Sequence, residues 1–114
     1  MKRELIAHED PKSHVSELFR TLRTNVQFMN SNKRLETLLV TSTLPGEGKT
    51  WIASNLAIAF AQADKRVILI DADMRKCGLH NIFQVSPCPG LSNYLSGVNE
   101  TNQEVQNLDN YLRE

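Results

Sequence analysis

The sequence predicts an α/β fold in which a parallel β-sheet is flanked by helices. An apolar run from Leu38 to Val40 leads into a glycine-containing loop and then into apolar residues at helical spacing. A second apolar run, Val67 to Ile70, follows after a short turn. Continuous apolar runs are typical of strands buried on both faces of a parallel sheet. A strand, a helix and a strand joined by a short return predict a right-handed βαβ unit.

The chain is expected to form one domain at most, because it has 114 residues. We expect a loosely held arm over residues 1–12, a helix over residues 13–30 with Ser13 as its N-cap, and a core over residues 37–114. Shorter helical elements are expected near 79–83 and 91–95, the second closed by Gly97. The first helix carries an apolar stripe for packing: Val15, Leu18, Phe19, Leu22, Val26 and Met29.

The overall charge excludes some partners. Thirteen basic residues balance thirteen acidic ones, so no global attraction to nucleic acid or anionic lipid is expected. No apolar run approaches the ~20 residues of a membrane span, and the first residues do not lead into a signal-peptide core. Cys77 and Cys88 fit neither a zinc spacing nor C-x-x-C, which indicates two reduced thiols. We therefore expect a cytoplasmic protein that binds no nucleic acid.

The stretch from residue 38 to 51, LLVTSTLPGEGKTW, predicts a phosphate-binding loop between a strand and a helix. Glycines let the backbone curl around an anion, and the helix N-terminus adds partial positive charge. Lys49 would reach the β- and γ-phosphates, and the Thr50 hydroxyl would bind Mg²⁺. The pattern departs at Thr43, where a glycine is usual, so an ordinary glycine-rich turn is the competing interpretation. The expected nucleotide-binding residues are Gly46, Glu47, Gly48, Lys49, Thr50 and Trp51.

A D-x-D motif follows the second apolar run. It places Asp71 at the carboxyl end of its strand, where open α/β sheets hold their ligands. Two carboxylates beside a polyphosphate would repel it unless a metal ion lies between them, and Mg²⁺ prefers oxygen ligands. Asp71 and Asp73 therefore suit a metal-assisted phosphoryl-transfer site. In the competing interpretation, one aspartate caps the next turn and the other is solvated.

Taken together, these motifs resemble the bacterial tyrosine kinases (BY-kinases), the cytoplasmic P-loop kinases of capsule and exopolysaccharide systems. The likeness covers about residues 11–109, and four segments carry it. Residues 16–23 match an E-x-x-R-x-x-R helix, and residues 40–50 match the Walker A loop. Residues 67–75 match the hydrophobic-D-x-D-x-R motif called Walker A-prime, and residues 90–97 resemble the segment that follows it. The fold implied is a P-loop NTPase-type parallel sheet.

The resemblance implies an ATP- and Mg²⁺-dependent protein-tyrosine kinase that phosphorylates itself and regulates capsular or exopolysaccharide synthesis. Lys49, Asp71 and Asp73 would be catalytic, with Asp71 the better candidate for general base. The metal ion would be bound by Thr50, Asp71 and Asp73. The two aspartates would also act on the attacking tyrosine hydroxyl. Trp51 stands where the family often has a small hydroxyl residue near the α-phosphate, so only its backbone N–H would contribute there.

The resemblance also implies partners. Glu17, Arg20 and Arg23 would lie at a subunit interface of a ring-like homo-oligomer. From composition alone they would form a solvated helix face with one i,i+3 ion pair, worth ~0.2–0.5 kcal/mol. A separate membrane protein would activate the kinase and recruit it to the inner face of the membrane, and its substrates would be protein tyrosines.

Two further departures from the family pattern concern Cys77, which replaces an expected proline, and the end of the chain. No Walker B strand and no tyrosine cluster follow, since Tyr94 and Tyr111 are the only tyrosines. We therefore expect the N-terminal half of such a kinase, with an incomplete sheet. Two alternatives stay open. One is an ATPase switch of the partitioning or division-site type, although Leu44 stands where its signature lysine would be. The other is a non-catalytic module that joins a longer kinase's oligomer.

Overall fold

The first two helices of the chain pack against the helix that follows the glycine-containing loop. A computed structural model describes residues 5–29, 32–87 and 90–97. Over these residues it contains α1 (Ile6–Glu9), α2 (His14–Phe28), α3 (Lys49–Gln62), α4 (Leu79–Ile82) and α5 (Leu91–Ser96). Helix α3 packs against both α1 and α2, which also contact each other. None of the described helices has the length and apolar character needed to cross a membrane.

Helix α2 begins where the sequence predicts. The Ser13 hydroxyl accepts a hydrogen bond from the Ser16 backbone N–H at 3.1 Å, as an N-cap side chain should. The apolar stripe of α2 is only partly covered, because α3 packs on one side of the helix. Phe19 is buried, whereas three other members of the stripe are exposed: Leu18, Leu22 and Met29.

Residues 5–12 differ from the loosely held arm that the sequence predicts. Leu5 and Ala7 are buried in the core. The Ala7 N–H donates to Asn55 Oδ1 at 3.0 Å, and Gln62 Nε2 donates to the Ala7 carbonyl at 2.9 Å. Pro11 disfavours a helical conformation only at the residue before it, so one helical turn still fits and ends at Glu9. Two polar side chains of α3 therefore hold this segment in place.

The core lies on both sides of α3, where small side chains let the neighbouring helices approach closely. On one side, Phe19 of α2 packs with Leu56 and Ala59. The second cluster joins α3 to the N-terminal segment and to the end of α4: Leu5, Ala7, Ala57, Ile58, Ala61 and Phe83. Ile58 has no exposed surface, so it occupies the most tightly enclosed position of the helix.

The described residues do not confirm the predicted parallel sheet, whose strands are expected near 37–41 and 67–70. Those residues are assigned neither helix nor strand, and an isolated bridge at Ile68 is all the β-structure assigned in the described ranges. Leu39 is 81% exposed and Ile68 is 61% exposed. Both segments line one cleft of about 950 Å³, together with α3. Strands of a parallel sheet need hydrogen-bonded neighbours, and these two segments do not supply them to each other.

Candidate functional site

The loop before α3 has the backbone conformation that its glycines allow. Gly46 and Gly48 have φ angles of 79° and 90°, a left-handed region in which other residues are strained. A Cβ on either glycine would meet nothing within 4 Å, so the backbone angle and not the available space requires glycine there. Gly48 is also the N-cap of α3, which means that the loop passes directly into the helix.

The first turn of α3 presents backbone donors at the end of this loop. Its first hydrogen bond between backbone groups joins the Ile52 N–H to the Gly48 carbonyl at 2.9 Å. The N–H groups of Lys49, Thr50 and Trp51 therefore have no partner within the helix. Together with the helix dipole, such groups are suited to binding an anion.

The departure from the loop pattern at Thr43 has a structural explanation. The Thr43 hydroxyl donates to the Glu47 carboxylate, with Oγ1 to Oε1 at 3.2 Å. The Ser42 hydroxyl donates to the Leu44 carbonyl at 2.9 Å. The Thr43 side chain thus forms a hydrogen bond across the loop. Because this bond engages the Glu47 carboxylate, Glu47 would contribute to an anion site through its backbone N–H.

The D-x-D motif meets the loop through an ion pair. Lys49 Nζ lies 3.6 Å from Asp73 Oδ2, and the two side chains are 36% and 37% exposed. The pKa of Asp73 lies below its usual value, chiefly because the Lys76 N–H donates to its carboxylate, at 3.1 Å to Oδ1. The positive charge of Lys49 lowers the pKa further, whereas partial desolvation opposes the shift. Asp73 is thus held ionised beside the lysine of the loop.

Asp71 organises the segment that follows it. Its Oδ1 accepts from the Asp73 N–H at 3.1 Å, and its Oδ2 accepts from the N–H groups of Gly78 and Leu79 at 3.0 and 3.2 Å. This bonding folds residues 71–79 into a loop and caps α4. The same loop reaches the phosphate-loop helix, since a Cβ on Gly78 would lie 3.7 Å from Thr50 Cγ2. The interpretation that one aspartate caps the next turn therefore holds for Asp71.

The donors for a metal ion are few. Within the described ranges, no three His, Cys, Asp or Glu side chains gather as a metal cluster. The oxygen donors at this site are the Thr50 hydroxyl and the carboxylates of Asp71 and Asp73. Mg²⁺ is often bound by one or two carboxylates, with substrate phosphates and water completing its shell, so this donor set fits Mg²⁺.

The two arginines of α2 make contacts within the chain. Arg20 donates from Nη1 to the Pro11 carbonyl at 2.7 Å, and Arg23 donates from Nη1 to the Ala59 carbonyl of α3 at 2.8 Å. The i,i+3 ion pair between Glu17 and Arg20, which composition alone suggested, is absent from this described helix. Arg20 and Arg23 therefore brace α2 against its neighbours, while Glu17 stays exposed.

One contact that links α2 to the site was not predicted from the sequence. The rings of Phe19 and Trp51 lie 5.1 Å apart in an edge-to-face arrangement. Trp51 directly follows the Lys49–Thr50 pair, so the first turn of α3 rests on the helix that carries the arginines. The unusual tryptophan at this position was the available signal, but its partner is distant in sequence.

Comparison with known proteins gives the family. Residues 38–109 match the family model described as the CobQ/CobB/MinD/ParA nucleotide binding domain. The chain belongs to this family. The matched range includes both the glycine-containing loop and the D-x-D motif, so the chain carries a nucleotide-binding domain.

The resemblance to bacterial tyrosine kinases is confirmed by individual relatives. The chain is 43% identical over 106 residues to the tyrosine-protein kinase YwqD of Bacillus subtilis (strain 168), covering 93% of this chain and 45% of that protein. It is 38% identical over 112 residues to the putative tyrosine-protein kinase CapB of Staphylococcus aureus, covering 92% of this chain and 48% of CapB. The chain thus spans about half the length of these two relatives.

A solved structure supports the fold. The crystal structure of the chimerical protein CapA2B2 matches this chain with a TM-score of 0.79 and 40% sequence identity. The match covers 90% of this chain and 45% of that one. Together with the family model, it confirms a P-loop fold.

Proposed function

We propose that this chain is the nucleotide-binding part of a bacterial protein-tyrosine kinase that uses ATP and Mg²⁺ and regulates capsule or exopolysaccharide synthesis. The observation that carries the proposal is the ion pair between Lys49 and Asp73, which joins the phosphate loop to the D-x-D motif. Support comes from two relatives named tyrosine-protein kinase or putative tyrosine-protein kinase, at 43% and 38% identity. The activity, the substrates and the partners of the whole protein are part of the proposal.

In this proposal the loop holds the phosphates of ATP. The backbone N–H groups of residues 46–51 would surround the phosphate oxygens, including the N–H of Trp51, while Lys49 would neutralise their charge. Thr50, Asp71 and Asp73 would hold Mg²⁺, which when bound neutralises phosphate charge and orients the γ-phosphate.

Asp71 is the proposed general base for the tyrosine hydroxyl. Its carboxylate has about four lone-pair positions, and three of them already accept backbone N–H groups. One position is left for a hydroxyl or for a water molecule on the metal. The backbone contacts fix the direction of this last position, which is useful for a group that must meet an attacking hydroxyl at hydrogen-bond distance.

We include a parallel sheet in the proposal, with residues 37–41 and 67–70 as two of its strands. Both segments carry exposed apolar side chains, and they line the cleft of about 950 Å³. A further strand would hydrogen-bond to their backbones in this cleft. The matched region makes up 45% of the CapA2B2 chain, so the other 55% of that chain has no counterpart in the match.

Helix α2 is the proposed oligomerisation helix within residues 13–30. Glu17 is exposed, and so are the apolar Leu18 and Leu22 on the same helix. Among the described residues, Arg20 and Arg23 each donate a hydrogen bond to a backbone carbonyl, which leaves further donors on each guanidinium. A second copy of the chain would pair with these groups in a ring. The proposal also places the kinase in the cytoplasm, where a membrane activator recruits it and protein tyrosines are its substrates.

A chimera tests the kinase proposal. This chain would replace the matching region of YwqD, and the product would be incubated with Mg-ATP and probed for phosphotyrosine. We expect a signal that Lys49→Met abolishes, while the isolated chain gives no signal because its sheet lacks neighbours. A folded chimera without phosphotyrosine, as judged by circular dichroism, would contradict the proposal.

A further inference from the structure

The ion pair at the site uses the same cation that a phosphate would need. Lys49 Nζ faces Asp73 Oδ2 at 3.6 Å. Asp73 is fixed in this direction, because its Oδ1 accepts the Lys76 N–H at 3.1 Å and its own N–H donates to Asp71 at 3.1 Å. A carboxylate held in this way resists turning aside, so an incoming anion must compete with it for Lys49.

The surrounding charges disfavour a polyphosphate that arrives alone. Lys49 contributes one positive charge, whereas Asp71 and Asp73 contribute two negative charges. An anion entering here loses part of the attraction of Lys49 and is repelled by both carboxylates. A divalent cation reverses this balance, because it binds the carboxylates and frees the lysine for the phosphates.

We propose that Asp73 is a specificity-determining residue that makes the site select nucleotide complexed with a divalent cation over metal-free nucleotide. The inference rests on the proposed function, since it requires that the loop binds nucleotide. It gives Asp73 a role apart from catalysis: the carboxylate exchanges between Lys49 and the metal ion. Asp71 does not take this role, because three backbone N–H groups already hold it.

The test compares ATP binding in EDTA with ATP binding in Mg²⁺, by isothermal titration calorimetry, in wild type and in Asp73→Asn. The amide removes the charge and keeps an oxygen to accept the Lys76 N–H. We expect metal-free ATP to bind Asp73→Asn roughly two- to five-fold more tightly than wild type, as suits a partly exposed ion pair. Mg-ATP should bind it about 10-fold more weakly, since a metal ligand is lost.

Two further variants make the test specific. Asp73→Glu keeps the charge and should discriminate against metal-free ATP as wild type does. Asp64→Asn removes one negative charge at the far end of α3, roughly 20 Å away along the helix. Asp64 has a φ angle of 60°, which asparagine adopts readily, so the fold should be preserved. This control should leave the affinity for metal-free ATP unchanged.

The outcomes separate this inference from the proposed function. If wild type binds Mg-ATP while Asp73→Asn binds metal-free ATP no more tightly than wild type, Asp73 is not the selective residue and only the inference fails. If Asp64→Asn raises the affinity for metal-free ATP as much as Asp73→Asn, the effect is one of net charge and the inference also fails. If wild type binds neither form of ATP, the proposed function and the inference fail together.

Discussion

Helix α3 with the helices packed on it and the two non-helical segments, residues 37–41 and 67–70, depend on different kinds of contact. Helix α3 has its hydrogen bonds within itself and buries Ile58 completely. Residues 37–41 and 67–70 have no such internal bonding, and Ile68 is 61% exposed although it is as apolar as Ile58. A helix forms its backbone hydrogen bonds within itself, whereas a strand needs a neighbouring strand to hydrogen-bond to its backbone. Helix α3 therefore makes its stabilising contacts within the described residues, whereas the two segments do not form strand pairing there.

The largest effect is expected at Asp71, which directly follows residues 67–70 and organises residues 71–79. Asp71→Asn in the YwqD chimera should lower the rate of phosphorylation by roughly 10²–10⁴-fold, as loss of a general base does. The affinity for Mg-ATP should fall far less, because the carboxylate acts mainly in the transition state. Phosphotyrosine kinetics and calorimetric titration measure the two quantities. Equal losses in rate and affinity would mean that Asp71 serves binding alone.

A matched pair of isoleucines tests the comparison itself. Ile58→Ala should lower the free energy of unfolding by about 2–5 kcal/mol, because it leaves a cavity in the core. Ile68→Ala should change it by no more than about 0.5 kcal/mol, because that side chain is already exposed. Urea denaturation followed by circular dichroism measures both. If Ile68→Ala costs as much as Ile58→Ala, the segment of residues 67–70 is buried in solution and the contrast between the regions is wrong.

Local signals account for what the sequence could predict. Ser13 at the start of α2 and Gly97 after α5 act within one turn of the chain, and both lie at the predicted helix ends. Gly48, predicted as part of the phosphate loop, is the N-cap of α3. The sheet could not be confirmed in the same way, because a strand is stabilised by residues distant in sequence. The bond from the Ala7 N–H to Asn55 was missed for the same reason.

The candidate site shows the same difference between local features, which the sequence predicts, and long-range contacts, which it does not. Its residue types and spacing predicted the loop at Lys49 and the motif at Asp71 and Asp73. The sequence did not predict that Lys49 and Asp73 form an ion pair, and it left open whether one of the aspartates caps a turn. Both facts depend on how residues 71–79 fold back on Thr50, which no local pattern specifies.

A smaller effect is expected on α2. Arg20→Ala combined with Arg23→Ala should shift an oligomer towards monomers in analytical ultracentrifugation, because truncation removes the charges and the forked donors of the proposed interface. The same change breaks the bonds to the Pro11 and Ala59 carbonyls, so the unfolding free energy should also fall, by about 1–3 kcal/mol. Glu17→Gln separates the effects, since its exposed side chain makes no hydrogen bond or ion pair among the described residues. An oligomer that is unchanged in both the double variant and Glu17→Gln would favour the interpretation that these residues form a solvated helix face.

The central claim is that the loop before α3 is a phosphate site in which Lys49 provides the decisive charge. Titration of a fluorescent ATP analogue in Mg²⁺ against wild type and Lys49→Met tests it most directly, with Lys65→Met as a control that removes an equally charged but distant lysine. We expect Lys49→Met to weaken binding by about 10-fold or more, since it removes a charge-assisted contact and leaves the loop backbone intact, and Lys65→Met to bind as wild type does. Equal affinities of wild type and Lys49→Met would contradict the claim.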